Sequence, residues 1–110
     1  MEDWIKNLPG PAIKQILETA FPWFVVVDRN AKIIYLNEGY CNFLEVKRED
    51  AIGKHVADVI ENSEMHLVIE KGTPDIAAPQ YIKGTYMLAN RVPIVIDGEI
   101  GFTGGCNISD

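Results

Sequence analysis

Between Ala51 and Arg91 the apolar residues change their period, and that change limits the folds open to the chain more than any other feature. Val56, Val59 and Ile60, and then Met65, Val68 and Ile69, recur at helical spacing. Lys71 and Gly72 close the second set, a basic residue and a glycine where a helix end favours both. From Asp75 onward the alternation is that of strands, predicted over 75–82, 85–96 and 99–108. Short helices therefore lead into long strands with no catalytic signature between them. The pattern gives no support to catalysis.

These strands need partners, and the turns between them say how they meet. Asp97 and Gly98 predict a tight hairpin turn. Pro79 lies inside the first strand, and because proline donates no hydrogen bond to a ladder, that strand belongs at a sheet edge. Upstream, 23–27 and 32–36 are β-branched runs separated by Asp28, Arg29, Asn30 and Ala31, and read as another hairpin. Asn37 offers an N-cap to a helix that shares Tyr40, Phe43 and Leu44 on one face. A helical piece at 48–52 stops at Gly53, and Asn62 or Ser63 can cap the helix of Met65. Before all of these, Pro9, Gly10 and Pro11 open a helix whose Ile13, Ile16, Leu17 and Ala20 form one apolar stripe, ended by Phe21 and Pro22. The expected fold is α+β, a five-stranded antiparallel sheet with one face covered by short central helices, plus an N-terminal amphipathic helix. Residues 1–22 are expected to form a segment that caps or dimerises, and 23–110 the main domain. The stripe must pack on its own sheet or on a partner's copy of the same helix, so a homodimer is expected.

Composition excludes several functions. A chain of 110 residues fits one domain, and 47% hydrophobic with 24% charged residues is the balance of a globular protein. A net charge of −6 without basic runs argues against direct nucleic-acid binding. The opening MEDWIKNL lacks the order of a secretory signal, and no apolar run reaches membrane-spanning length, so the chain reads as cytoplasmic and free of the membrane. Cys41 and Cys106 form no CxxC and have no His at ligand spacing, which leaves them as buried free thiols without a metal. Neither a nucleophilic triad nor a phosphate-binding glycine loop is present, so no enzyme is expected.

Candidate ligand contacts come from the strands and central helices. In 85–96, Tyr86, Leu88, Asn90, Val92 and Ile94 share one face, and Met87, Ala89 and Arg91 the other. The more apolar set is expected to face the core, which puts Asn90 inside, where its amide needs backbone or ligand partners. Arg91 then lies on the opposite side, at a surface or dimer interface, with a carboxylate ligand as the alternative its planar fork suits. Gly101, Gly104 and Gly105 thin the last strand, so either a small cavity opens or Tyr40 or Phe43 fills the space. Thr103 and Tyr81 have hydroxyls to line such a cavity. His66 sits beside the stripe of its helix as a rim histidine facing Glu70, and His55 as a loop histidine.

The segments FVVVDRNAKIIYLNEGYCNFLEV, IGKHVADVI and VPIVIDGEIGFTGGCNISD resemble the opening, the glycine connection and the closing hairpin of the PAS domain family, over about 21–110. GKHVADVIENSEMHLVIEKG and QYIKGTYMLANRVPI are similar, more narrowly, to the sensor domains of bacterial sigma-54-dependent transcriptional activators, where a PAS domain precedes an AAA+ ATPase and a helix-turn-helix. The resemblance implies a sensory, regulatory domain that binds a small-molecule signal, dimerises, or both, to control an effector in the same chain. It implies sheet edges at the strands of Lys32 and Asp75. A ligand-free dimerisation module, a haem-based sensor and the PAS domain of a sensor kinase are the alternatives. Haem-binding relatives carry their iron ligand on the helix of His66, a role disfavoured here. Flavin photochemistry at Cys41 is disfavoured too, because Tyr40, Cys41, Asn42 and Phe43 lie on the earlier helix. No cofactor is required. PAS domains often end in Asp-Ile-Thr, which joins the last strand to an output helix, whereas this chain has Asn107, Ile108 and Ser109. The ending at Asp110 is read as that of a piece of a longer protein.

Overall fold

A computed structural model describes residues 7–109. Its first helix, α1 (Gly10–Thr19), starts at Pro9 with proline in its first turn, as the fixed φ of that residue favours. Strand β1 (Trp23–Asp28) turns back into β2 (Ile33–Leu36) through a loop in which the Asp28 carboxylate accepts the backbone N–H groups of Asn30 and Lys32 at 2.8 and 3.1 Å. The Asn37 side chain accepts the Tyr40 N–H at 3.1 Å and so caps α2 (Glu38–Leu44), as its sequence position predicts. Helix α3 (Arg48–Ala51), a 3-10 turn (Val56–Asp58) and α4 (Met65–Lys71) complete the helical layer. Gly72 ends α4 in the left-handed region with φ 71°. The cap expected of Asn62 or Ser63 does not form. Glu64 occupies that position without a side-chain bond, and Asn62 instead donates to the Tyr81 carbonyl at 2.7 Å.

Strands β3 (Asp75–Ile82), β4 (Thr85–Ile96) and β5 (Glu99–Ser109) follow. Asp97 and Gly98, at φ 53° and 83°, make the two-residue turn whose twist matches the flanking strands. All pairings are antiparallel and the sheet order is β2-β1-β5-β4-β3, which places Pro79 on an edge strand as its missing N–H requires. The helices α2–α4 cover one face, where Val27, Ile33, Leu36, Tyr40, Val56, Ile60 and Ile82 are 0–1% exposed. Helix α1 contributes no buried residue.

The facing of β4 is the reverse of the sequence expectation. Met87, Ala89 and Arg91 are buried beneath the helices at 0–2% exposure, and Asn90 lies on the outer side with Leu88, Val92 and Ile94. The expectation assumed that the more apolar set is the covered one. Here the covered side takes the set that carries Arg91, whose charge and donors are met by Asp75 and Gln80 of β3, and the more apolar set lies on the uncovered face. Among the described residues no helix is long and apolar enough to cross a membrane.

Candidate functional site

Arg91 occupies the middle of β4 and lies opposite Gly105 of β5, a position that offers it no side-chain obstruction. Burying a guanidinium is costly unless its charge is paired and its donors are used. Arg91 meets both conditions from the edge strand. It donates to Asp75 Oδ2 at 3.0 Å and to Gln80 Oε1 at 3.0 Å, with Glu64 Oε1 at 3.7 Å. Gln80 is itself fixed, since its amide donates to the Glu61 carbonyl at 2.9 Å. Asp75 also accepts from Lys71 across the end of α4. The Lys71 hydrogen bond, opposed by partial burial and aided by Arg91, holds the Asp75 carboxyl below the usual carboxylate range.

Beside this network the Tyr40 hydroxyl accepts from Asn107 Nδ2. Burial pushes the Tyr40 phenol well above its ordinary value, so it stays neutral. Tyr40, Ser63, Gln80, Arg91 and Asn107, with the apolar Val25, Ile60 and Met65, line a cavity of about 10 Å³. That is room for one water molecule. The space over Gly105 is taken by Met65, whose Sδ and Cε lie 3.3 Å from where a Cβ would stand. Neither Tyr40 nor Phe43, the two candidates from sequence, fills it. Phe43 stacks on Trp23 instead, with ring centroids 4.5 Å apart.

Of the six ligand candidates the structure brings together Tyr40 and Arg91. Asn90 is directed away from the cavity, and its Oδ1 accepts the Ala77 N–H at 2.8 Å, stapling the bulge where β3 shifts register against β4. Tyr81 is 40% exposed and packs edge-on against Tyr86. Thr103 is buried with no hydrogen-bond partner for its hydroxyl, but it does not line the cavity. His66 is half-buried, its ring 6.0 Å from that of His55, and it makes no ion pair with Glu70 among the described residues. It lies off the cavity, and 10 Å³ does not admit a macrocycle, so these residues do not fit a haem. His55 is half-buried, and its Nδ1 accepts from the Ala57 N–H at 3.1 Å and caps the 3-10 turn. The sequence reading missed Gln80, Ser63, Asp75 and Asn107. Gln80 and Asp75 were readable only from the face that Arg91 takes, which the reading had reversed.

The uncovered face holds a second feature, a shallow groove of about 380 Å³ lined by Phe21, Phe24, Val92, Ile94, Cys106 and Ile108. Phe21 and Phe24 stack at its margin with ring centroids 5.2 Å apart.

Comparison with known proteins bears on the family and the fold. The family model described as PAS fold matches residues 12–104. A probable C4-dicarboxylate sensor kinase of Halalkalibacterium halodurans is 36% identical over 75 residues, covering 68% of this chain and 14% of the relative. The sensor protein CitS of the same organism is 26% identical over 87 residues, covering 77% of this chain and 16% of the relative. The chain thus spans about a seventh of the curated relatives it matches. The crystal structure of the PAS domain of an HTR-like protein from Haloarcula marismortui superposes with a TM-score of 0.64 at 9% identity, covering 91% of this chain and 90% of that one. At that identity the likeness is one of fold.

Proposed function

This chain belongs to the PAS-fold family and is a sensory domain, and on that premise we propose that it is the input domain of a sensor kinase, working as a homodimer and reading a small polar molecule at the Arg91 cavity. The observation that carries the reading is Arg91, a charged side chain 2% exposed that faces an interior cavity together with Tyr40, Ser63, Gln80 and Asn107. Convergent polar groups in a concave interior are what a small-ligand site requires. Anything larger than water needs Met65 to swing off Gly105. An unbranched thioether with three rotatable bonds does that at little cost. A PAS domain is itself a sensory module without catalysis, so the output lies in another segment. The related sensor kinase favours a kinase as that segment. A sigma-54-dependent activator remains the alternative output, supported by the sequence resemblance and not by these relatives.

Dimerisation is assigned to α1, through Ile13, Ile16, Leu17 and Ala20. Ile13 and Ile16 are 41% and 47% exposed, an apolar stripe that a lone copy leaves in water. A second reading, a packed interaction module that takes no ligand, is favoured by the smallness of the cavity. Calorimetric titration with succinate and malate separates the two. Saturable heat that disappears in Arg91→Met is expected for the sensor, and its absence with both acids would favour the packed module.

A further inference from the structure

Helix α1 leaves Ile13 and Ile16 of its apolar stripe exposed, and polar groups fasten its last turn to the domain. The Glu18 carboxylate accepts from the Tyr35 hydroxyl, from Arg48 Nη2 at 3.1 Å and from the Glu38 backbone N–H at 2.8 Å. The last of these is the first N–H of α2, a donor with no partner inside its own helix. Asn37, fully buried, works on the same joint from the other side. Its Nδ2 donates to the carbonyls of Leu17 at 3.3 Å and Phe21 at 3.1 Å, while its Oδ1 accepts from Phe24 of β1 at 3.0 Å and from Tyr40 of α2 at 3.1 Å. One amide therefore ties the end of α1 to the starts of β1 and α2. Gly39 completes the joint, because a Cβ there would stand 2.7 Å from the Pro22 carbonyl oxygen.

We propose that this joint is the mechanical input of the domain: a displacement of α1 reaches the core through Glu18 and Asn37, which move the starts of α2 and β1 together. Tyr40, whose N–H is bonded to the Asn37 side-chain oxygen, is also the residue whose hydroxyl meets Asn107 at the cavity, so one residue in the first turn of α2 belongs to both the joint and the cavity. Because α1 contributes no fully buried residue, its shift leaves the buried core intact, which suits a part that moves while the core stays folded. Only the direction of signalling, from α1 inward, rests on the sensory reading. The coupling belongs to this chain and is measured without ligand or effector.

The test is residue-resolved amide hydrogen exchange on this chain for wild type, Glu18→Gln and Tyr35→Phe. In both variants exchange should rise about tenfold over Gln15–Thr19 and also at Phe24 and Tyr40, while Gln80 and Met87 of the far hairpin keep their rates. Gly39→Ala should reproduce the pattern from the opposite side of the joint. Faster exchange confined to α1 would overturn the proposal, because the fastening would then transmit nothing. Unchanged exchange, or a uniform rise that includes the far hairpin, would overturn it as well.

Discussion

On the helix-covered face of the sheet sit Arg91, Gln80, Thr103 and Asn107 at 0–6% exposure, while the uncovered face presents Leu88, Val92, Ile94 and Ile108 at 38–48%. A stable monomer would place these sets the other way round, because apolar burial drives folding and buried polar groups cost free energy unless fully paired. The covered face meets most of that cost with a connected network, from Lys71 through Asp75 and Arg91 to Gln80, and leaves the Thr103 hydroxyl unpaired. Among the described residues the uncovered face has no such network. The difference teaches that the inner side is specialised for polar contact, while the outer side keeps its apolar side chains half open to solvent.

The strongest way to break this comparison is at Arg91. Arg91→Ala leaves Gln80 and part of Asp75 unpaired in the interior and should cost about 3 kcal/mol in urea unfolding, where Arg91→Met costs less because it keeps the volume. Met65→Ala removes the plug over Gly105 and is expected to cost about 2 kcal/mol while enlarging the cavity. A crystal structure or xenon uptake would report the added space.

Acid sharpens the contrast between the faces, because Glu18 and Asp75 titrate on the joint and the covered side while the outer groove is apolar. Burial raises Glu18, but hydrogen bonds from Tyr35 and Glu38 and the charge of Arg48 outweigh it and hold the carboxyl below its ordinary 4.5. Asp75 is likewise below its ordinary 3.8. A depressed folded-state pKa gives stability that is whole above the unfolded value and is lost as pH falls through the folded one. The urea midpoint should therefore hold from neutral pH to about 4.5 and drop below it, and Glu18→Gln with Asp75→Asn should flatten that drop. The same Glu18 bond, after burial, pushes Tyr35 up to about 12, so its ultraviolet titration should fall back toward 10 in Glu18→Gln. The smallest stability effect belongs to the outer face. Ile94→Ser, at a half-exposed position, should change unfolding in urea by no more than about 0.5 kcal/mol.

How much of this was legible in the sequence depended on the range of the forces involved. Asn37, Pro79 and the Asp97-Gly98 turn act on their own neighbours, so cap, edge and hairpin read correctly. Strand facing is a different matter. Alternation in β4 separates Met87, Ala89 and Arg91 from Leu88, Val92 and Ile94, but which set is covered depends on where the helices land. The cavity was half legible, through Tyr40 and the thin strand at Gly105. Met65, Ser63 and Gln80 reach it only through the tertiary fold, and the Glu18 joint ties residues 17, 20 and 30 positions apart.

Native mass spectrometry of the chain tests the central claim most directly, because it reports bound mass and oligomeric state together. The account predicts a dimer with a defined small mass that Arg91→Met loses, and dissociation to monomer in Ile13→Glu with Ile16→Glu. A bare monomer at micromolar concentration would contradict it, since neither the polar interior nor the apolar exterior would then have the partner assigned to it.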